Sequence, residues 1–134
     1  MHYRKLLVAL ALSLLSTSAM AGWTTIGKVG SAKGSFTVYA DKSAIQKNGS
    51  FAKMQALFDF STPMKSQGFR YSSYKQLAEY DCKKGQSRVI DYSLHSKKMG
   101  AGGAIFKSSN VGKWMTVKPN SVVANLWGIA CGKQ

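Results

Sequence analysis

Acidic residues are scarce in this chain. Its 134 residues include five aspartates and glutamates against 19 lysines and arginines, a formal net charge of +14. Histidine is equally sparse, with two in all and only His95 beyond the first 21 residues. One histidine and scattered acids do not make a ligand cluster, so no metal is expected. The two cysteines have no second cluster beside them, which excludes a zinc site. No glycine-rich loop leads into a helix in the way phosphate cradles require, and no cofactor is expected. There is no internal repeat. Arginine is rare beyond position 21, with only Arg70 and Arg88, so the bidentate phosphate fork is mostly missing and the charge is that of lysine.

One apolar run stands at the start. His2-Tyr3-Arg4-Lys5 is basic, Leu6 to Leu15 is apolar, and Ala19-Met20-Ala21 is an Ala-x-Ala cleavage pattern. This predicts a secretory signal peptide over residues 1–21. A membrane anchor is the alternative, but the run is short for a span. No cysteine lies near the cleavage site, so no lipid anchor is expected at that end. Removing residues 1–21 takes Arg4 and Lys5 and no acid, which leaves 113 residues at a net +12. Residues 22–134 are then one domain with a modest core. No other segment is apolar enough to span a membrane, so the product is expected to be soluble or peripheral, in the periplasm, on the cell surface or secreted.

Cys82 and Cys131 are expected to form one disulfide in an oxidising compartment, the alternative being two buried thiols. Closing so long a loop is worth about 4 kcal/mol in the chain-entropy model.

The most regular stretch is Ser50 to Phe60. Ala52, Met54, Ala56, Phe58 and Phe60 are apolar at every second position, the mark of a strand with one buried face. It is taken as the central strand. Gly22–Gly27 opens as a strand, with Trp23 packing into the core. Lys28–Gly34 reads as a turn and Ser35–Tyr39 as a second strand. Asp41 caps a short helical turn, with Ile45 tucked inward, and Lys47-Asn48-Gly49 is a turn. Ser61–Gly68 reads as a loop, Phe69–Cys82 as a strand, and Lys83-Lys84-Gly85-Gln86 as a hairpin turn into a strand over Ser87–Ser96. Lys97–Gly103 is a flexible basic loop. Ala104–Phe106 is a short edge strand and Trp114–Val117 a last one. The period then changes. Asn120 or Ser121 is the N-cap of a helix with Val122, Val123, Leu126, Trp127 and Ala130 on one stripe, stopped by Gly132. The expected fold is α+β: a small antiparallel sheet of about six strands with a C-terminal helix on its apolar face.

Several of these features occur together in order. Val38-Tyr39-Ala40-Asp41 and Ile45 precede a long strand with Asp59 near its end. Glu79-Tyr80-Asp81-Cys82 precedes basic Lys83, Lys84 and Arg88, then Tyr92-Ser93. Trp114, Val117-Lys118-Pro119-Asn120-Ser121 and Cys131 complete the series. In this the chain resembles the surface-adhesin protein E-like domains of exported bacterial proteins, over about Trp23 to Cys131. The resemblance implies an antiparallel sheet with a helix against it, a cysteine pair, and a binding role toward a host or cell-envelope protein.

The expected function is therefore that of a binding module and not an enzyme. Lys83, Lys84, Arg88, Lys97 and Lys98 are the candidate binding residues, although the two lysine pairs are expected at opposite ends of one hairpin. The alternative is a polyanion binder for glycosaminoglycan, lipopolysaccharide, anionic lipid head groups or nucleic acid, acting through lysine charge alone. Against both stands the reading that the lysines only keep the surface soluble. A third possibility is a small ribonuclease built on Glu79, Arg88 and His95, which strand parity disfavours unless a bulge intervenes. The tyrosines Tyr39, Tyr71, Tyr74, Tyr80 and Tyr92 either stack bases or sugars or pack on sheet neighbours. Phe51 and Leu57, on the polar side of the central strand, either seat a partner or second copy or lie under a loop.

Overall fold

The computed structural model describes residues 22–31 and 34–133; the expected signal segment and Lys33 fall outside them. In chain order the elements are β1 (Trp23–Ser31), β2 (Gly34–Asp41), β3 (Gln46–Asn48), β4 (Phe51–Ser66), β5 (Phe69–Asp81), β6 (Gln86–His95), β7 (Ala104–Ser108), β8 (Met115–Thr116) and α1 (Val122–Cys131). The strands form one antiparallel sheet in the order β1-β2-β4-β5-β6-β7, with β3 against β4 and β8 against β6. The six-strand path matches the expected α+β sheet, and two short strands are added to it.

β4 lies inside the sheet, between β2 and β5. Its alternation sets the core. Ala52, Met54 and Ala56 are buried beside Val38 and Ala40 of β2 and Ala78 and Tyr80 of β5. The small alanines leave room for a helix to approach, and Leu126, Ile129 and Ala130 of α1 fill it. Ser121 caps α1, its Oγ accepting from the Ala124 N–H at 3.0 Å. Gly132 ends it in the left-handed region at φ 68°, where a side chain would be strained. Cys131 is bonded to Cys82, with Cα atoms 5.6 Å apart, and Trp127 Nε1 donates to the Asp81 carbonyl at 3.0 Å. Both links tie the helix end to the β5 end.

Several local expectations are corrected. The Lys28–Gly34 turn is mostly strand, because Lys28 pairs with Thr37 and Val29 with Phe36; an edge strand accommodates such exposed, charged residues. The Ser61–Gly68 loop is also mostly strand, since β4 runs to Ser66 and turns only at Gln67-Gly68. Pro63 is tolerated because the β4–β5 register breaks between Asp59 and Met64, where a missing N–H loses no ladder bond. Trp23 is only half-buried, and Ile26 makes the core contact instead. Val123 leaves the helix stripe and is exposed, while Ile129 joins it. Ile45 does pack on the core, and Asp41 does cap, its Oδ1 accepting from the Ser43 N–H.

The Lys97–Gly103 segment is tied down. Ser73 Oγ donates to the Lys97 carbonyl at 2.6 Å and accepts from the Gly100 N–H at 2.8 Å. Asp59 Oδ1 accepts from the Met99 N–H at 2.7 Å. The segment lies over Leu57, which is fully buried. Of the two readings for Leu57, the covering loop is the one found. Phe51 stays partly exposed and packs on Trp114 at 5.9 Å between ring centroids.

Candidate functional site

The β5–β6 turn is built around the Asp81 carboxylate. Asp81 is buried, and its Oδ1 accepts from the Lys83 and Lys84 N–H groups at 3.1 and 2.9 Å. Gly85 N–H closes the turn on the Asp81 carbonyl, with Gly85 at φ 65°. The backbone is thus held inward and the Lys83 and Lys84 side chains are exposed. Two further lysines join them through the tertiary structure. Lys133 Nζ donates to the Cys82 carbonyl at 2.9 Å and lies 5.2 Å over the Trp127 ring. Lys47 Nζ sits beside the helix end, 3.3 Å from where a Cβ on Gly132 would be. Cations at a helix C-terminus meet the negative end of its dipole. Beside this cluster is a hollow of about 290 Å³ walled by Val117, Pro119, Trp127 and Lys133.

Arg88 is committed elsewhere. The β5–β6 register shifts between Leu77 and Ala78, so Arg88 comes to face Glu79. Its Nη2 lies 2.6 Å from Glu79 Oε1, and its guanidinium is 4.3 Å from the Trp114 ring centroid. The bulge removes the parity objection to a Glu79–Arg88–His95 trio, yet the trio does not assemble. His95 faces Ser73, and Glu79 faces Arg88. Position 73 to position 79 along a strand is about 20 Å.

Lys97 and Lys98 lie at the far end of the sheet, as the hairpin geometry predicts. Lys98 Nζ donates to the Phe60 carbonyl at 2.8 Å and lies 3.3 Å from Asp59 Oδ2. The five basic candidates therefore form no single patch. Lys83 and Lys84 stand together with Lys47 and Lys133; Arg88 and Lys98 are each engaged with an acid. Among the described residues no three of His, Cys, Asp and Glu come together to hold a metal, and no helix is long and apolar enough to cross a membrane.

The tyrosines pack on sheet neighbours. Phe36, Phe58, Tyr74, Tyr92 and Phe106 run ring against ring across the sheet, with centroids 5.4 to 6.0 Å apart. Burial pushes the Tyr74 hydroxyl up to about 12, helped by Tyr92 and Tyr71 nearby. Burial alone raises Tyr80 further.

On the face of the sheet opposite α1, strand pairing sets side chains in cross-strand rows. Leu57, Lys75, Ser93 and Lys107 form one; Gln55, Leu77 and Asp91 form the next. Ser93 Oγ is 2.8 Å from His95 Nε2, and His95 Nδ1 is 3.3 Å from the Gly102 carbonyl. Both side chains are buried. The third partner of this pair is a backbone carbonyl, which leaves no trace in residue type. Lys47 and Lys133 were missed for a similar reason: only the disulfide and β3 bring them to the turn.

The chain matches the family model described as "Surface-adhesin protein E" over residues 23–132. Among solved structures it is similar to Haemophilus influenzae protein E in crystal form II, with TM-score 0.60 and 14% identity over 71% of this chain and 80% of that one. A second structure of Haemophilus influenzae protein E gives TM-score 0.58 and 14% identity over 71% and 76%. At that identity the structural likeness speaks for the fold. No curated protein matches the chain.

Proposed function

Because the chain belongs to the surface-adhesin protein E family, we propose that it is an exported adhesin-type binding module whose contact surface for a host or cell-envelope protein is the Lys83-Lys84 end of the sheet. The observation that carries this reading is the pairing of exposed charge with an apolar hollow. Lys133 lines a cleft walled by Val117, Pro119 and Trp127, which reaches Gly85 of the turn that carries exposed Lys83 and Lys84, and Lys47 lies at the adjoining helix end. An acidic protein segment with one apolar anchor suits such a surface, the lysines guiding it in and the Trp127 edge burying the anchor. The disulfide and the Asp81 carboxylate hold the turn rigid, which lowers the ordering cost of binding.

The test has two arms. Protease treatment of the intact producing bacterium should remove the protein, since adhesion needs surface exposure; full protection discards the adhesin reading. The purified protein should bind cultured epithelial cells, and K83E with K84E should reduce that binding at least about ten-fold. Unchanged binding by the double variant discards this surface.

A second reading rests on a separate observation. Among the described residues only two cations, Arg88 and Lys98, are paired with acids, so most of the lysine charge is uncompensated and attracts polyanions. Binding that collapses between low and physiological salt favours this reading; salt-insensitive binding favours the protein contact.

A further inference from the structure

The groove on the face opposite α1 has a specific chemistry that the basic end lacks. Lys75 on β5 and Lys107 on β7 both face Ser93 on β6, one from each side. With strands about 4.8 Å apart, the two lysine backbones are about 10 Å apart across Ser93. Neither lysine has an acidic partner among the described residues. Asp91 lies in the next row, two residues along β6 on the same face, with Oδ2 accepting from Ser109 Oγ at 3.0 Å and Oδ1 without a donor among the described residues. Lys75, Lys107, Asp91, Ser93 and His95 wall a cavity of about 470 Å³ under the Gly100–Gly103 segment. A second hollow of about 210 Å³ shares Lys75, Asp91 and Ser93 with it and continues to Gln55 and Leu77.

The floor of the cavity has a defined hydrogen-bond polarity. The Gly102 carbonyl can only accept, so His95 Nδ1 carries the proton facing it. In the neutral ring Nε2 is then bare and accepts the Ser93 hydroxyl proton at 2.8 Å. Ser93 has given its one proton away, so its oxygen offers only lone pairs to the cavity. A ligand must therefore bring a donor to Ser93 and to Asp91 Oδ1, and an acceptor to Lys75 and Lys107. The formal charge of the wall is two ammonium groups against one carboxylate, which suits a monoanion. A phosphate or sulfate polymer would meet Asp91 as a like charge and would find no guanidinium fork there.

We propose that this groove binds an acidic sugar, with its carboxylate held by Lys75 and Lys107 and its neighbouring hydroxyls donating to Ser93 Oγ and Asp91. An acidic sugar carries a carboxylate with ring hydroxyls close by: a glucuronide has them on the next two carbons, and an N-acetylneuraminide has its nearest ring hydroxyl two carbons on, so the two probes test the spacing the rows present. The second hollow has room for the unit linked to it. The site lies on a different face from the Lys83-Lys84 surface and does not depend on it.

The experiment is a two-dimensional NMR titration of the protein with four probes: methyl β-D-glucuronide, the methyl glycoside of N-acetylneuraminic acid, uncharged methyl β-D-glucoside, and inorganic sulfate. Saturable shifts confined to amides of Ser73–Leu77, Asp91–His95 and Gly102–Lys107 are expected with at least one acidic probe, and which one binds assigns the sugar. The glucoside should bind at least about ten-fold more weakly, and K75Q and K107Q should each weaken the acidic probe about ten-fold. K65Q, at an exposed lysine outside both surfaces, should leave the affinity for the acidic probe unchanged. The proposal is overturned if neither acidic probe shifts the groove amides, if the glucoside binds equally well, or if K75Q with K107Q keeps the native affinity. It is also overturned if inorganic sulfate shifts the same amides at the same concentration, since charge alone would then explain the binding.

Discussion

Arg88 and Glu79 face each other across β5 and β6, with Nη2 and Nε 2.6 and 2.9 Å from the same Glu79 oxygen. The Trp114 ring closes over the guanidinium at 4.3 Å. This contact fastens the segment before β8 to the sheet, and its planar geometry needs arginine. R88A should destabilise the domain by about 1–2 kcal/mol, and R88K should recover less than half of that. Urea denaturation measures both, and equal stability for R88K would refute the stacking role.

Much of the fold was readable from local pattern. The period-two alternation of β4, the caps at Ser121 and Gly132, and the Lys83-Lys84-Gly85 turn depend on neighbours within a few residues. The Ser61–Gly68 and Lys97–Gly103 segments do not show their structure in local pattern, because their partners are distant in sequence. Met64 becomes strand only by facing Tyr71, and Met99 is fixed only by Asp59. The site divides in the same way. Lys83 and Lys84 announce themselves as a basic turn, whereas the row Lys75–Ser93–Lys107 exists only once β5, β6 and β7 are in register.

The Cys82–Cys131 bond closes a separation of 49 residues and holds the C-terminal end of α1 on the sheet. C82S with C131S should lower stability by about 4 kcal/mol in the chain-entropy model. Reduction of the native protein should give a comparable loss. A change below about 1 kcal/mol in both would show that core packing of Leu126 and Ile129 alone holds the helix.

Tyr80 is buried and its hydroxyl has no hydrogen-bond partner among the described groups. A desolvated, unpaired hydroxyl costs about 1–3 kcal/mol. Y80F removes only that oxygen, so the variant should be as stable as the native protein or more stable by about 1 kcal/mol. A clear loss of stability would mean that the hydroxyl finds a partner in solution, such as an ordered water.

Alkaline pH should weaken the fold through Tyr74. Its ionisation is raised from 10.0 to about 12 by burial, then by Tyr92 and Tyr71. A group whose folded value lies above its unfolded value contributes stability that is complete below the unfolded value and is lost as pH rises toward the folded one. Stability should therefore fall between about pH 10 and pH 12. Y74F should make that fall shallower, with the remainder carried by Tyr80, which burial also raises, and an unchanged slope in denaturation measured across this window would contradict the assignment.

Asp59 shows how a single acid positions a loop that forms part of the groove. It is buried, its Oδ1 accepts from the Met99 N–H, and its Oδ2 lies near the largely exposed Lys98 ammonium. The two oxygens have unequal weight. An ion pair to an exposed lysine contributes at most about 1 kcal/mol, whereas removing the acceptor leaves an N–H unpaired under the loop at a cost of about 1–3 kcal/mol. D59N keeps an acceptor for Met99 and loses only the charge, so it should be the milder change. D59A should speed amide exchange at Met99 and Gly100 and leave β4 and β5 protected. Because the same segment carries the Gly102 carbonyl that orients His95, D59A should also disturb the Ser93–His95 hydrogen bond, visible as a shift of the His95 ring resonances. If D59A and D59N speed exchange equally, the Lys98 charge rather than the Met99 hydrogen bond holds the loop.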